Sequence, residues 1–395
     1  MATRAETGLV SNWLWTVDRL LIGAIGVLMV CGILFGLAAS PSVAERLNYP
    51  IYHFVHRQAI YLVPAVVVML TVSFFSPRYI RRLALAVFVI GMAMVIGTLL
   101  FGAEIKGARR WLSLGPLGTL QPSEFVKPAF VVVAAWAFSE GARRNDMPGT
   151  FMAILLLPIT IVPLIMQPDI GQTMLLAIVW CGLFFLAGLH ILWVVGLFGL
   201  GAGGIFMAYK FVPHVTSRVN RFLHDKGSQD SFQVDSALES FTSGGFLGKG
   251  PGEGTVKRYL PDAHTDFIFA VTGEEFGIVV CMALVTLFAF IVLRSFWLAS
   301  RTADPFCRFA AVGLAMLFGV QSCINMAVNL HLMPPKGMTL PFVSYGGSSL
   351  VSLALGMGFL IAVTRRRPRS EVDLPRASSS VTPSVYSANS AGLAA

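Results

Sequence analysis

Apolar runs of near membrane-spanning length recur from one end of this chain to the other, and they leave few folds open. A helix rising 1.5 Å per residue needs about 20 residues to cross a hydrocarbon layer about 30 Å thick. Inside that layer every backbone N–H and C=O must pair within the protein, which leaves helices or a closed barrel. Continuous apolar runs, as opposed to alternating ones, select helices. Ten segments fit: 17–39, 58–75, 82–102, 124–139, 150–166, 170–189, 191–211, 267–293, 306–330 and 343–364. The expected fold is an all-α polytopic membrane protein, a bundle of ten transmembrane helices with a long extracytoplasmic loop between spans seven and eight. Length alone would suggest two or three soluble domains. A chain of 395 residues that is 55% hydrophobic, 12% charged and has a mean hydropathy of +0.73 overrides that prior.

The first apolar run is long and has no small-residue cleavage site behind a short core, so it is expected to remain as a span. Residues 1–16 then form a cytoplasmic segment, 17–365 the membrane domain with its periplasmic loop at 214–265, and 366–395 a Ser/Ala/Pro-rich cytoplasmic tail expected to be disordered. Five cysteines lie in or beside apolar segments without CxxC spacing and read as small buried hydrophobes. Arg78, Arg81, Arg82, Arg143, Arg144, Arg294, Arg301, Arg308, Arg365–Arg367 and Arg369 fall on one side, which the positive-inside rule makes cytoplasmic. The opposite side also holds cations: Lys106, Arg109, Arg110, Arg218, Arg221, Lys226, Lys249, Lys257, Arg258 and Lys336. Held against the bias, they suggest an anionic ligand there, or simply a solvated loop surface. No nucleic-acid partner is expected.

Carboxylates mark the mouth of span eight in "LPDAHTDFIFAVTGEEFG", residues 260–277. Asp266 sits where the chain enters the apolar run, as a helix cap or as a reacting group. Glu274 lies eight residues on, about 12 Å deeper along the same face. An ionisable group at such depth marks a functional cavity or a buried ion pair, and Lys127 on span four, one turn from Glu124, is its expected partner. On span nine Gln321, Asn325 and Asn329 recur every fourth residue, either gluing helices or lining a cavity. The stripe leads to "HLMPPKGMTLPFVSYGGSS" (331–349), an irregular backbone tolerated at membrane depth only where it is buried or lines a wet pocket. The glycine-rich "GGFLGKGPGEG" (244–254) is neither a Rossmann turn nor a Walker loop and reads as flexible backbone near a substrate.

Taken in order and spacing, "KGARRWL", "QPSEFVKP", "QPDIGQT", "LPDAHTDFIFAVTGEEFG" and "PPKGMTLPFVSYGGSS" resemble the signature blocks of the SEDS family (shape, elongation, division and sporulation), over roughly residues 15–365. The last block is most similar to the division branch. His331 and Pro335 stand where many members have Gly and Thr, and Ala327 replaces a common Gly. The resemblance implies a peptidoglycan glycosyltransferase of the inner membrane at the septum. It would polymerise lipid II at the outer face, with a class B penicillin-binding transpeptidase and other division-complex membrane proteins as partners. It makes Asp266 the catalytic aspartate, acting as base or as metal ligand. Arg109, Arg110, Lys127 and Lys336 become candidates for the diphosphate, and Glu274, Asn325 and Ser344 further candidates for substrate. Magnesium or manganese could be held by Asp266 and Glu274. A flippase for the same lipid, or a non-catalytic division scaffold, are the alternatives. The first should carry repeat-related broken helices, and no internal repeat is present. The second leaves Glu274 and Asn325 unexplained.

Overall fold

A computed structural model describes residues 8–105, 108–113, 115, 119–143, 148–188, 191–211, 216, 229–335 and 337–366. The tail expected to be disordered lies outside these residues apart from Arg366, as does Lys336.

Each of the ten expected segments coincides with a helix. After a short N-terminal helix, α1 (Leu9–Thr16), come α2 (Arg19–Arg46), α3 (His53–Ser73), α4 (Pro77–Phe101), α5 (Pro122–Arg143), α6 (Gly149–Met166), α7 (Ile170–Leu186) and α8 (Ile191–Phe211). Past the long connection follow α9 (Gln229–Gly244), α10 (Ile268–Ser300), α11 (Pro305–Asn329) and α12 (Gly347–Thr364). Among the described residues eight helices are long and apolar enough to cross a membrane: α2 to α6 and α10 to α12. The other two of the ten, α7 and α8, are apolar helices of 17 and 21 residues. The protein is a multi-pass membrane protein.

Helices α5, α11 and α12 are the most enclosed, whereas α6 keeps most of its apolar side chains on the outside, as a lipid-facing helix should. The basic end of the bundle is stitched by ion pairs. Asp18 caps α2 by accepting from Leu21 N at 2.9 Å and also accepts two bonds from Arg294. Arg294 and Arg301 stack on opposite sides of the sequence from Trp297, at 4.2 and 3.8 Å from its ring. That pairing explains why α10 runs to Ser300 where a span ending at 293 was expected: Arg294 is neutralised and can stay on the helix.

The fold is helical throughout its described spans, and the exception to all-α lies outside them: Ala103–Ile105, Ala108–Ser113 and Thr119–Leu120 (β1 to β3) form a small antiparallel sheet between α4 and α5. Its edges can find polar partners there, so the rule that confines spanning chain to helices does not apply. One expectation about the loops is overturned: the segment 244–254 is not slack. Main-chain bonds run from Lys249 N to Glu274 O (3.0 Å), Gly250 N to Glu275 O (3.0 Å) and Ile278 N to Gly245 O (3.0 Å). The segment thus supplies partners that α10 forfeits at Gly277, whose φ of +80° breaks the helix from within. A Cβ at Gly277 would meet Phe246 O at 2.3 Å, so only glycine fits this crossing.

Candidate active site

Asp266 lies in the turn 261–267, half-buried, just ahead of α10. The N-cap position of α10 is held by Phe267, and Asp266 stands one residue ahead of it. Its neighbourhood is built from two chain segments. Asp262, with φ +53°, offers its carbonyl to Thr265 N and Asp266 N at 3.0 and 3.1 Å and closes the turn. The segment after α11 is laid against it. Tyr345 N donates to His264 O at 2.9 Å, and the Ser344 hydroxyl donates to Thr265 O while accepting from Leu340 N at 2.8 Å. The Asp266 carboxylate faces Gly337: a Cβ there would stand 3.8 Å from Oδ2. Lys336, the next residue, falls outside the described set.

The polar stripe of α11 holds this assembly from beneath. Asn325 Nδ2 donates to Asp266 O at 2.9 Å and to Met338 O at 2.7 Å. Asn329 Nδ2 donates to Asp266 O at 3.0 Å, and its Oδ1 accepts from Ala270 N at 3.1 Å. Gln321 Nε2 donates to Thr339 O at 3.1 Å. The stripe therefore grips loop backbone, and Asn325 presents no direct surface to a substrate. Period alone told which residues share a face; it could not tell that the face meets two loops.

Glu274 does not pair with Lys127. It is 0% exposed, and its two oxygens accept from Thr255 N (2.6 Å), Val256 N (2.8 Å) and Lys257 N (3.0 Å), with Lys249 Nζ at 3.5 Å. A buried carboxylate is stable when several N–H groups converge on it, and here it pins the short turn Val256–Arg258 to α10. It is thus neither open to substrate nor disposed to bind a metal with Asp266. Among the described residues no three His, Cys, Asp or Glu side chains gather as a metal site. Lys257, counted among the outward cations, is buried instead. It pairs with Glu275 and donates to Ala38 O at 3.1 Å.

Lys127 stands with its Nζ 2.9 Å from either oxygen of Glu124 and 3.1 Å from Gln321 Oε1, all of them buried. Glu124 also accepts from Gln172 Nε2 at 2.8 Å. Arg110, on β2, reaches the turn between α6 and α7: it lies 3.5 Å from Asp169 and donates to Gln167 O at 3.2 Å and to Pro168 O. Asp169 caps α7 through Gln172 N, and burial raises its pKa while the Arg110 charge opposes the rise. Arg110 and Lys127 are therefore already committed to carboxylates, whereas Arg109 lies on the exposed side of the same strand. Asp169 and Gln172 were not singled out from the sequence, although the polar break "QPDIGQT" contains both.

Such an arrangement, a multi-pass helical membrane protein in which two irregular segments meet beside Asp266 just ahead of α10, marks a membrane-embedded enzyme-like scaffold and not a simple helical anchor. The chain belongs to the cell cycle protein family of FtsW, RodA and SpoVE, whose model matches residues 18–369. It is 42% identical to the probable peptidoglycan glycosyltransferase FtsW of Caulobacter vibrioides over 92% of this chain and 93% of that one. It is 33% identical to the protein of the same name from Trichlorobacter lovleyi over 88% and 93%. Two solved structures share the fold at 26% identity. One, described as "Structural coordination of polymerization and crosslinking by a peptidoglycan synthase complex", superposes with a TM-score of 0.74 over 88% of this chain and 97% of that chain. The other is the rod shape determining protein RodA of Thermus thermophilus, with a TM-score of 0.66 over 88% and 96%. The resemblance read from the five blocks is borne out.

Proposed function

We propose that this chain is a peptidoglycan glycosyltransferase that polymerises lipid II during division, with Asp266 as its general base. What supports the reading is the seam described above, where the carboxylate of Asp266 meets the Gly337 loop. An acceptor sugar hydroxyl there attacks the anomeric carbon of a lipid-linked donor. The new glycosidic C–O bond forms as the anomeric bond to diphosphate breaks. The hydroxyl proton passes to Asp266, and the diphospholipid leaves with the electron pair. One displacement inverts the anomeric centre, which suits an α-linked donor and a β-linked product.

The diphosphate needs positive charge. Arg109 and Lys336 are the cations assigned to it, whereas Arg110 and Lys127 act behind the site by holding Asp169 and Glu124. A divalent cation, magnesium or manganese, would take Asp266 as a carboxylate ligand and draw further oxygen ligands from diphosphate and water. The reaction is assigned to the outer face of the inner membrane at the septum, with both termini cytoplasmic. A class B penicillin-binding transpeptidase and other division-complex membrane proteins are the assigned partners. Polymerisation of labelled lipid II by the purified chain, with and without that transpeptidase and with EDTA, tests the assignment. Absence of glycan under every condition would favour the flippase or scaffold alternatives.

A further inference from the structure

Asn325 has one amide group and uses it on both segments of the seam. The same Nδ2 donates to the carbonyl of Asp266 at 2.9 Å and to that of Met338 at 2.7 Å. Asn329, one turn on, shares the first of these acceptors at 3.0 Å but has no bond to the second; its oxygen takes Ala270 N instead. Both asparagines are buried, at 1% and 0% exposure. Asn329 Nδ2 further donates to Asn325 O at 2.9 Å, so the pair is itself tied together.

The consequence is geometric. The turn 261–267 and the segment 337–346 arrive from different helices, α10 and α12, and neither is a helix where they meet. Tyr345 N to His264 O, Ser344 to Thr265 O and the His264–Tyr345 ring contact at 5.4 Å tie the two segments one and two residues ahead of Asp266. At Asp266 itself, one amide on α11 joins the turn to Met338, the residue after Gly337. Gly337 faces the Asp266 carboxylate, and with no side chain it has only its backbone, at a φ of +65°, to hold its position.

We infer that Asn325 is a positioning residue: it sets the distance between the Asp266 carboxylate and the Gly337 loop, and through that distance the rate of transfer. Asn329 backs up the Asp266 arm directly and reaches the Met338 arm only at second hand, through Asn325 Oδ1 at 3.4 Å. The inference rests on the proposed transferase reading for its kinetic part but not for its structural part. Displacement of a catalytic group by about 1 Å can cost on the order of a hundredfold in rate while leaving remote binding contacts intact. Loss of the bridge should therefore lower kcat and spare KM for lipid II.

The test compares Asn325→Ala with Asn329→Ala in the full-length chain. In hydrogen exchange, Asn325→Ala should speed exchange at amides of both 262–270 and 337–346, and Asn329→Ala more at 262–270 than at 337–346, with α2 to α4 unchanged in each. In polymerisation assays Asn325→Ala should lose at least tenfold in kcat with KM within about twofold, and Asn329→Ala markedly less. Asn325→Ser, which retains a single donor, should fall between wild type and Asn325→Ala. If exchange rises equally at both segments in the two variants, or in neither, the bridging role is wrong. If exchange behaves as stated but kcat is unchanged in an active enzyme, the bridge is structural and the positioning role falls. An inactive wild-type chain beside normal exchange behaviour would instead count against the transferase reading and leave the bridge standing.

Discussion

Glu274 and Lys257 are joined through the main chain: an oxygen of the fully buried carboxylate accepts Lys257 N at 3.0 Å, while the Lys257 ammonium turns away to Glu275. Two adjacent glutamates thus divide the turn 255–258 between them, one taking its N–H groups and the other its charge. Glu274→Gln keeps the shape but turns one acceptor into a donor facing N–H groups. Leaving buried donors unsatisfied costs about 1–3 kcal/mol, more where the partner was charged. Thermal unfolding should fall accordingly, and limited proteolysis should first open 244–258. Because Lys127 is not the partner, combining Glu274→Gln with Lys127→Met should give additive losses. A large coupling energy would contradict the geometry.

Lys127→Met strands Glu124 among buried neighbours. Breaking a buried pair from one side costs about 3–5 kcal/mol. Adding Glu124→Gln should restore much of the lost stability, since the amide oxygen can still accept from Gln172. Chemical or thermal unfolding of the three variants decides the matter, and failure of the double variant to recover would mean that the pair is not isolated from other charge.

Asp266→Asn should leave the fold intact, because Asn keeps the size of the side chain and the N-cap position of α10 belongs to Phe267. Polymerisation of lipid II should drop at least about a hundredfold, the low end for removing a general base. Lipid II binding should persist. If divalent cation added in excess restores part of the rate, Asp266 works through a metal. Glycan made at the wild-type rate would end the base assignment.

Burial raises the pKa of Asp169 above its usual 3.8, with Arg110 opposing. The folded state then holds this proton more tightly than the unfolded chain, so the buried charge costs stability at neutral pH and the cost is relieved as pH falls through the raised value. Relative to Asp169→Asn, the wild-type chain should gain stability on moving from pH 7 toward acid, and the gain should level off once the pH is below 3.8. Unfolding of both proteins across that window measures it; a difference that is flat, or that shrinks with acid, would show that Arg110 dominates.

Gly277→Ala places a methyl against Phe246 O at a φ of +80°. Left-handed strain and overlap together should cost more than about 2 kcal/mol. The expected signature is loss of thermal stability with release of the 245–250 segment in proteolysis. A neutral substitution would show that the kink can straighten.

The sequence by itself determined the apolar helices, the basic end and the order of the family blocks. Each follows from properties a single segment carries: length against bilayer thickness, charge against the translocation bias, and local residue identity. It also put Asp266 at the mouth of a span and Gln321, Asn325 and Asn329 on one face. Only the tertiary structure decided partners. Helical period orders residues around their own axis and says nothing about which neighbour that axis turns toward. So Lys127 went to Glu124 and Gln321, Glu274 to the backbone of 255–257, and Asn325 to two loops at once. The glycine-rich stretch at 244–254 looked slack because the groups that order it, the freed backbone of α10 around Gly277, lie more than twenty residues away in sequence. Those groups become available only once α10 breaks there, and a buried unpaired backbone in a membrane protein costs too much to be left without such a partner.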